Sequence, residues 1–459
     1  MKVVKPLTVV IKLGKSFGAQ RLLDESATST GKAEAQQLKK GLELILEIGT
    51  SSIVDEKTHE PLLPILSLIV STAVKLRKDG HRVVIVSSGA IGVGLQRMDI
   101  ERRPKHLSQL QALAAIGQCR LISLWDQLFG HYRQPVAQIL LTRNDIADRQ
   151  RYLNAQNTVA ELLELGVIPI VNENDTLAVA EIKFGDNDTL SAITAAMVHA
   201  DFLFLMTDVD CLYDKNPRTN PDAQPIQVVE DINSIQADVS SAGSSLGTGG
   251  MSTKIVAAKL ATSAGVTTVI TRSSSPDNIH QIVRYVQATK VSDGQEDPLS
   301  RSTASLALNV QEPPLHTRFL PLSQPIRDRY FWLLHGLAPH GTLYIDSGAH
   351  QALADKAGLL PVGILDVEGS FAQHESVRLV VVERSSEPAA DGKSWQGTPV
   401  EVGRALVNYA APEIVRIKGR RSKQIEGLLG YADSQYVADR DNVSLFLHES
   451  RPVTPTPDI

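Results

Sequence analysis

An apolar run, GVIPIV (Gly166 to Val171), passes straight into VNENDTLAVAEIKFGDNDTLSA (Val171 to Ala192) and on into a helix-compatible segment. Strand, polar cluster, helix is the repeating unit of an open α/β sheet, and in such sheets ligands bind beyond the carboxyl ends of the strands. Asn172, Asn174, Asp175, Lys183, Asp186, Asn187 and Asp188 all fall in that position, and Gly185 lets the backbone turn. By chemistry alone they suit a polar substrate or a hydrated Mg²⁺, with Lys183 able to meet phosphate. The same residue types also build turns, so a capped, solvated loop is the competing reading of this stretch taken alone.

The unit recurs along the chain. HRVVIVSSGAIGVGL sets a buried VVIV before Ser87–Ala90, whose hydroxyls and backbone N–H groups at a helix start suit an anion. VAQILLTRNDI ends on Thr142, Arg143, Asn144 and Asp145, DFLFLMTDVD ends on Thr207, Asp208 and Asp210, and GVTTVITRSS adds another strand. Runs this apolar belong to parallel sheets covered on both faces. PLLPILSLIVSTAVKLRKDG has helical spacing and closes on Gly80, and YLNAQNTVAELLELG closes on Gly166. LSQLQALAAIGQCRLISLWDQLFGHY reads as an amphipathic region broken near Gly117, with Trp125 and Phe129 in the core. A glycine run leads into a helix beginning at about Met251. Lys254 in its first turn opposes the helix dipole, and an anion held by the same N-terminus is the expected reason. LTVVIKLG (Leu7 to Gly14) reads as a buried strand with Lys12 near its carboxyl end. LELILEIG (Leu42 to Gly49) is a second candidate for the same place, with Glu47 where the first has Lys12.

A length of 459 residues allows two or three domains, and an apolar fraction of 42% supplies their cores. The formal net charge of −5 gives no global pull toward nucleic acid or membrane. The two cysteines, Cys119 and Cys211, form neither a disulfide framework nor a metal pattern. No signal peptide is visible and no apolar run reaches the ~18 residues of a membrane helix, so a cytoplasmic location is expected. Residues 291–327 lack periodicity and read as a linker. From 328 to 448 short β-prone segments alternate with turns, giving a smaller β-rich domain, and 449–459 read as a flexible tail. The basic cluster Lys418–Lys423 can meet RNA or form a solvated face. In an acidic chain without aromatic interleaving, the solvated face is the expectation.

Taken together, IVSSGAI, AQILLTRNDI, PIVNENDT, EIKFGDNDTLSA, LMTDVDCLY, NPRTNP and GTGGMSTK resemble the glutamate 5-kinase (γ-glutamyl kinase) family. RPKHLSQLQALAAIGQ and the cysteine of DCLY are similar to its fungal members, and the likeness covers most of the chain from Gly49 onward. The resemblance implies an amino-acid kinase fold, an open and mostly parallel sheet with helices on both faces over residues 1–290, followed by a PUA-like domain. It implies phosphorylation of the γ-carboxylate of L-glutamate by ATP with Mg²⁺, the first step of proline synthesis, through no P-loop. By motif position, Ser88, Asn172, Asp175 and Asn187 would hold glutamate. Thr207 and Asp208 would lie at the nucleotide with Gly249, Gly250 and Met251, and Lys12 and Lys254 would be catalytic. Lys183 and Asp186–Asp188 would line the substrate and feedback site. No metal ligand is assigned. Proline as feedback inhibitor, a homo-oligomer and handover to glutamyl phosphate reductase are the implied partners, and membrane is not among them. The alternatives are a kinase of the same fold acting on aspartate, N-acetylglutamate, carbamate or UMP, or an inactive regulatory or RNA-binding homologue.

One segment departs from the family. Removing Lys15–Gly49 leaves LTVVIKLGTSSIVDEKTHEP, the family's usual opening. Gly14-Lys15-Ser16 can be encoded by GGT AAG TC, which contains a splice-donor-like GTAAGT. The hypothesis is that Lys15–Gly49 is a retained intron and that Lys12 is the functional position. In the rival reading LELILEIG is the first strand and Glu47 sets a negative charge beside the phosphates. Sequencing of the spliced transcript should show no codons for Lys15–Gly49, and finding them there would sink the intron reading.

Overall fold

Glu43–Ile48 (β1), ELILEI, is buried at every position. A strand can be so only with neighbours on both edges and helices on both faces. In this computed structural model the described residues are 41–55, 57–177, 187–217, 219–232, 250–293, 312–322, 325–385 and 395–446. The chain divides into two units, Met1–Gly41 and Leu42–Ile459, and the account below concerns the second.

After β1 come α1 (Thr50–Ile53), α2 (Leu63–Lys78), β2 (Arg82–Ser87), α3 (Ala90–Arg97), α4 (Leu107–Gly130), β3 (Val136–Leu141), α5 (Arg143–Ala147), α6 (Arg149–Glu164) and β4 (Ile168–Glu173). They are followed by α7 (Asn187–Met197), β5 (Phe202–Thr207), the short strands β6 (Leu212–Tyr213), β7 (Pro225–Ile226) and β8 (Val228–Val229), α8 (Met251–Ser263), β9 (Thr267–Arg272), α9 (Asn278–Asp293) and β10 (Thr317–Phe319). The sheet order is β3-β4-β2-β1-β5-β9-β10-β8. The strands from β3 to β9 run parallel, and β10 pairs antiparallel with β9. This is the open, mostly parallel sheet that the apolar runs imply.

Alternation along β1 decides which side chain goes where. Leu44, Leu46 and Ile48 face a core containing Trp125, Phe129, Phe202 and Phe204. Ile45 faces the other core, with Leu190 and Ile193 of α7 and Ala257 and Ala261 of α8. Strand side chains repeat every two residues, so Glu47 shares the face of Ile45 and lies under α7 and α8.

Two expectations change here. Glu43–Ile48 fills the place of the first strand among the described residues, and Leu7–Gly14, with Lys12, lies outside them. The reason is continuity: the strand runs through Gly49 into α1, where Ser52 N bonds Gly49 O at 3.0 Å, and Ser88 N bonds Ile48 O at 3.0 Å. The segment that runs directly into that helix takes the slot. Second, the stretch read as a linker contains β10, which extends the sheet.

A π-helical turn at Trp332–Gly336 follows α10 (Asp328–Phe331) and leads into the second sheet. Its strands are β11 (Gly341–Ile345), β12 (Ile364–Gly369), β13 (Ser376–Arg384), β14 (Trp395–Leu406) and β15 (Val443–Leu445), in the order β12-β11-β13-β14-β15. It closes over its own core, which includes Leu343, Leu379, Tyr409 and Ile414. The joint to the first sheet buries Trp332, Leu333 and Leu337 in that domain's core and adds specific polar bonds. Trp332 Nε1 donates to Ile146 O at 2.9 Å, and Asp328 accepts from Arg149 Nη2 at 2.8 Å and from Tyr152 OH at 2.7 Å. Among the described residues, no helix is long and apolar enough to cross a membrane.

The α4 helix runs unbroken through Gly117, where a break is expected from sequence. The glycine serves contact instead. A Cβ there would lie 1.7 Å from Ala90 O, and one on Gly94 of α3 would lie 2.1 Å from Leu113 O. The two helix backbones touch through these glycines. Gly117→Ala should therefore destabilise the protein by about 1–3 kcal/mol through overpacking, outweighing the ~1 kcal/mol that alanine offers a helix interior. Chemical denaturation reads this. An unchanged or raised midpoint would show that the contact is not rigid.

Candidate active site

Three strand ends and two helix starts meet above the middle of the sheet. β2 ends in Ser87 and Ser88, and Gly89 takes a left-handed turn (φ 95°) that swings the chain into α3. That conformation favours glycine because it lacks a Cβ. β4 ends in Asn172. Asn187, at the start of α7, spans the two: its Nδ2 donates to Ser88 Oγ at 2.7 Å and lies 3.3 Å from Asn172 Oδ1. Asn172 in turn donates to Gln118 Oε1 on α4 at 2.8 Å. Three residues singled out by sequence as substrate ligands therefore form one polar floor, with Ser88 and Asn172 buried and Asn187 half-buried above them. Asp175 follows in a half-buried turn after β4.

The second half of the site is centred on Lys254, in the first turn of α8. Its Nζ lies 2.6 Å from Asp188 Oδ1 and 3.2 Å from Glu47 Oε2. The relative exposures are 8% for Lys254, 3% for Asp188 and 1% for Glu47, so all three groups are withdrawn from water. Thr253 Oγ1 donates to Asp188 Oδ2 at 2.7 Å and accepts from Gly250 N at 2.8 Å, tying α8 to α7. Burial alone would push the Lys254 ammonium down, but Asp188 and Glu47 outweigh it and hold it above its ordinary range. Burial raises Glu47 from 4.5 to about 8, with Lys254 pulling it down and Asp188 pushing it up. The anion that explains a lysine at this helix start is thus a pair of carboxylates from β1 and α7.

Thr207 and Asp208 close β5, where Thr207 Oγ1 donates to Asp208 Oδ1 at 3.2 Å and Thr207 O accepts from Ser273 N at 2.7 Å. Beside them Arg272, at the end of β9, grips Asp210 through two bonds of 2.6 and 2.7 Å. Gly250 and Met251 form the start of α8. Lys12, Lys183, Asp186 and Gly249 lie outside the described residues. Sequence reasoning did not single out Gln118, Thr253 or Arg272. A polar residue within an amphipathic helix carries no sign of which strand end it will meet. Among the described residues, no group of three or more His, Cys, Asp or Glu is gathered as a metal site.

A parallel sheet with a buried lysine and two helix N-termini at its carboxyl edge defines an α/β domain able to gather anions, here joined to a small β domain. The amino acid kinase family matches residues 43–272, and the PUA domain matches 341–429. Over 411 residues the chain is 54% identical to the probable glutamate 5-kinase of Schizosaccharomyces pombe, covering 89% of this chain and 94% of that protein. It is 45% identical over 422 residues to an uncharacterized protein of Saccharomyces cerevisiae, covering 89% and 99%. It is 47% identical over 404 residues to the glutamate 5-kinase of a Cyanothece species, covering 88% and 99%. The chain belongs to the amino acid kinase family and, within it, to the glutamate 5-kinases that carry a PUA domain.

Glu47 gives the fold a pH dependence of defined sign. Between 4.5, its ordinary value, and about 8, the folded protein keeps a proton that the unfolded chain has released. Stability therefore falls as pH rises through that window. Thermal unfolding should show the wild type losing more stability than Glu47→Gln between the two ends of the window. Parallel curves for the two proteins would contradict the assignment.

Proposed function

We propose that this protein transfers the terminal phosphoryl group of ATP to the γ-carboxylate of L-glutamate, the opening step of proline synthesis. The observation that carries the reading is Asn187: its amide bridges Ser88 and Asn172 at the ends of β2 and β4, beside the Lys254 turn. An amino acid seated on that polar floor presents its side chain toward the starts of α7 and α8.

A carboxylate with a pKa of about 4.3 is already ionised near neutrality, so the acceptor needs no general base. The task is to bring two anions together and to neutralise the transferred group. Phosphoryl transfer depends chiefly on positioning and electrostatics. Lys254 supplies a positive charge, and the N–H groups opening α7 and α8 supply partial ones. Thr207, Asp208, Gly250 and Met251 form the adjoining edge, proposed to take the nucleotide together with Gly249. Asp175 is proposed to hold the substrate's ammonium. Mg²⁺ retains water readily and binds largely through nucleotide phosphates, so it needs few protein ligands. The donors here, with Asp188 already engaged by Lys254 and Thr253, fit such a nucleotide-borne ion. When bound, it would neutralise phosphate charge.

The product is an acyl phosphate, reactive toward water, so transfer to glutamyl phosphate reductase, inhibition by proline and a homo-oligomeric state belong to the same proposal. A cytoplasmic location accords with Cys119 and Cys211 both being free thiols.

With glutamate, ATP and Mg²⁺, hydroxylamine should trap the γ-hydroxamate, and the chain lacking Lys15–Gly49 should form it faster than the full chain. In that shorter chain Asn187→Ala strands the partners of its amide, worth about 1–3 kcal/mol. It should raise KM for glutamate about tenfold or more, with nucleotide affinity changed less than about twofold. No hydroxamate from either chain would refute the reading.

A further inference from the structure

Lys254 has one positive charge and two carboxylate partners. Asp188 reaches it from α7 at 2.6 Å, and Glu47 reaches it from β1 at 3.2 Å. Asp188 is further held by Thr253, which does not reach Glu47, and the Glu47 carboxyl faces only Lys254 and Asp188 among the described charged groups. Glu47 is also fixed in place, because β1 pairs with β2 and β5 on its two sides with Glu47 opposite Val86 and Leu205. It stands on the last turn of the pleat before Gly49, too short a tether to swing away. A polyphosphate drawing on Lys254 would thus meet a second anion that cannot leave.

We infer that Glu47 couples nucleotide binding to proton uptake: a polyphosphate can draw on Lys254 only when the Glu47 carboxyl is protonated, and the ionised form repels it. This rests on the reading that nucleotide phosphates lie at Lys254. Among the described residues, the charged groups facing Glu47 are Lys254 from α8 and Asp188 from α7. Asp188 keeps its bonds to Lys254 and Thr253, so Glu47 is the group free to take the proton. Its raised value of about 8 places the change near physiological pH, and an added phosphate charge would push it higher. Glu47 is then a positioning residue acting through Lys254, not a catalytic one. It sets which charge state of the pocket accepts nucleotide.

The test is calorimetric titration of the full chain with Mg²⁺ and the non-hydrolysable AMP-PNP, without glutamate, at pH values below and above about 8. Running it in buffers of different ionisation enthalpy counts the protons exchanged. Above that pH the wild type should take up about one proton more than Glu47→Gln on binding. Glu47→Gln should bind about tenfold or more tightly there, with the gap narrowing below it. Glu47→Lys should lose the pH dependence as well. Equal proton counts and equal affinities for wild type and Glu47→Gln would overturn the inference, as would absence of binding to either at millimolar nucleotide. Hydroxamate formation from glutamate tests the kinase reading separately, because the titration needs no glutamate.

Discussion

The contact among Lys254, Asp188 and Glu47 ties three elements of the sheet domain together, and their placement follows from it. Each ion carries a desolvation cost of several kcal/mol once buried. Asp188 cannot move without leaving a buried ammonium underpaired, so α7 and α8 are fixed to each other at their N-termini. Thr253 adds a neutral tie between the same two turns. Two N-termini held side by side concentrate partial positive charge where the strand ends leave room, and an anion site results from how the carboxylates secure the lysine. A removal such as Asp188→Ala would leave Lys254 with the carboxylate of β1 alone, loosening the helix pair while the sheet beneath stays paired.

Much of this could be read from sequence because strand side chains alternate and because strands of a parallel sheet end on the same edge. Asn172 and Thr207 follow an apolar run by one position and Ser88 by two, and that placement alone brings them to one edge of the sheet. Asn187 and Lys254 stand in the first turns of helices, which begin at the same edge. Gln118 was not legible, since its role depends on where α4 crosses β4, and Gly117 misled for a related reason. A glycine in a helix reads as a break until the backbone it touches is known, here that of Ala90. β10 was hidden by brevity: three residues, Thr317 to Phe319, carry no periodicity, and only pairing with β9 and β8 makes them a strand.

The small β domain bears on the site through its joint. Asp328 and Trp332 are held by Arg149, Tyr152 and the carbonyl of Ile146, all on α5 and α6. Those helices leave the carboxyl end of β3, next to β4 and therefore next to Asn172. Thr142, capping α5 through a reciprocal pair of bonds with Asp145, stiffens the connection. A domain anchored there braces the β3–β4 end of the edge, where Asn172 stands. The basic run is partly spoken for, since Lys418 pairs with Asp366 at 2.7 Å.

The first strand presents the sharpest conflict between levels. VIKLG and ILEIG place a charged residue at the same offset from a glycine, one positive and one negative, so they are equivalent by hydrophobic pattern and opposite at the site. Packing cannot choose between them, because either fills the slot with alternating apolar side chains. Chain continuity does choose: ILEIG runs directly into α1 at Thr50, and VIKLG does so only if Lys15–Gly49 are absent. Lengthening a loop costs little, with closure entropy growing only as the logarithm of length. Reversing a charge beside a buried ammonium weighs far more, since two unit charges ~4 Å apart interact by about 4 kcal/mol at an effective dielectric of 20. Which of two similar sequence segments feeds the centre of the sheet therefore sets the charge at the site without altering the hydrophobic pattern.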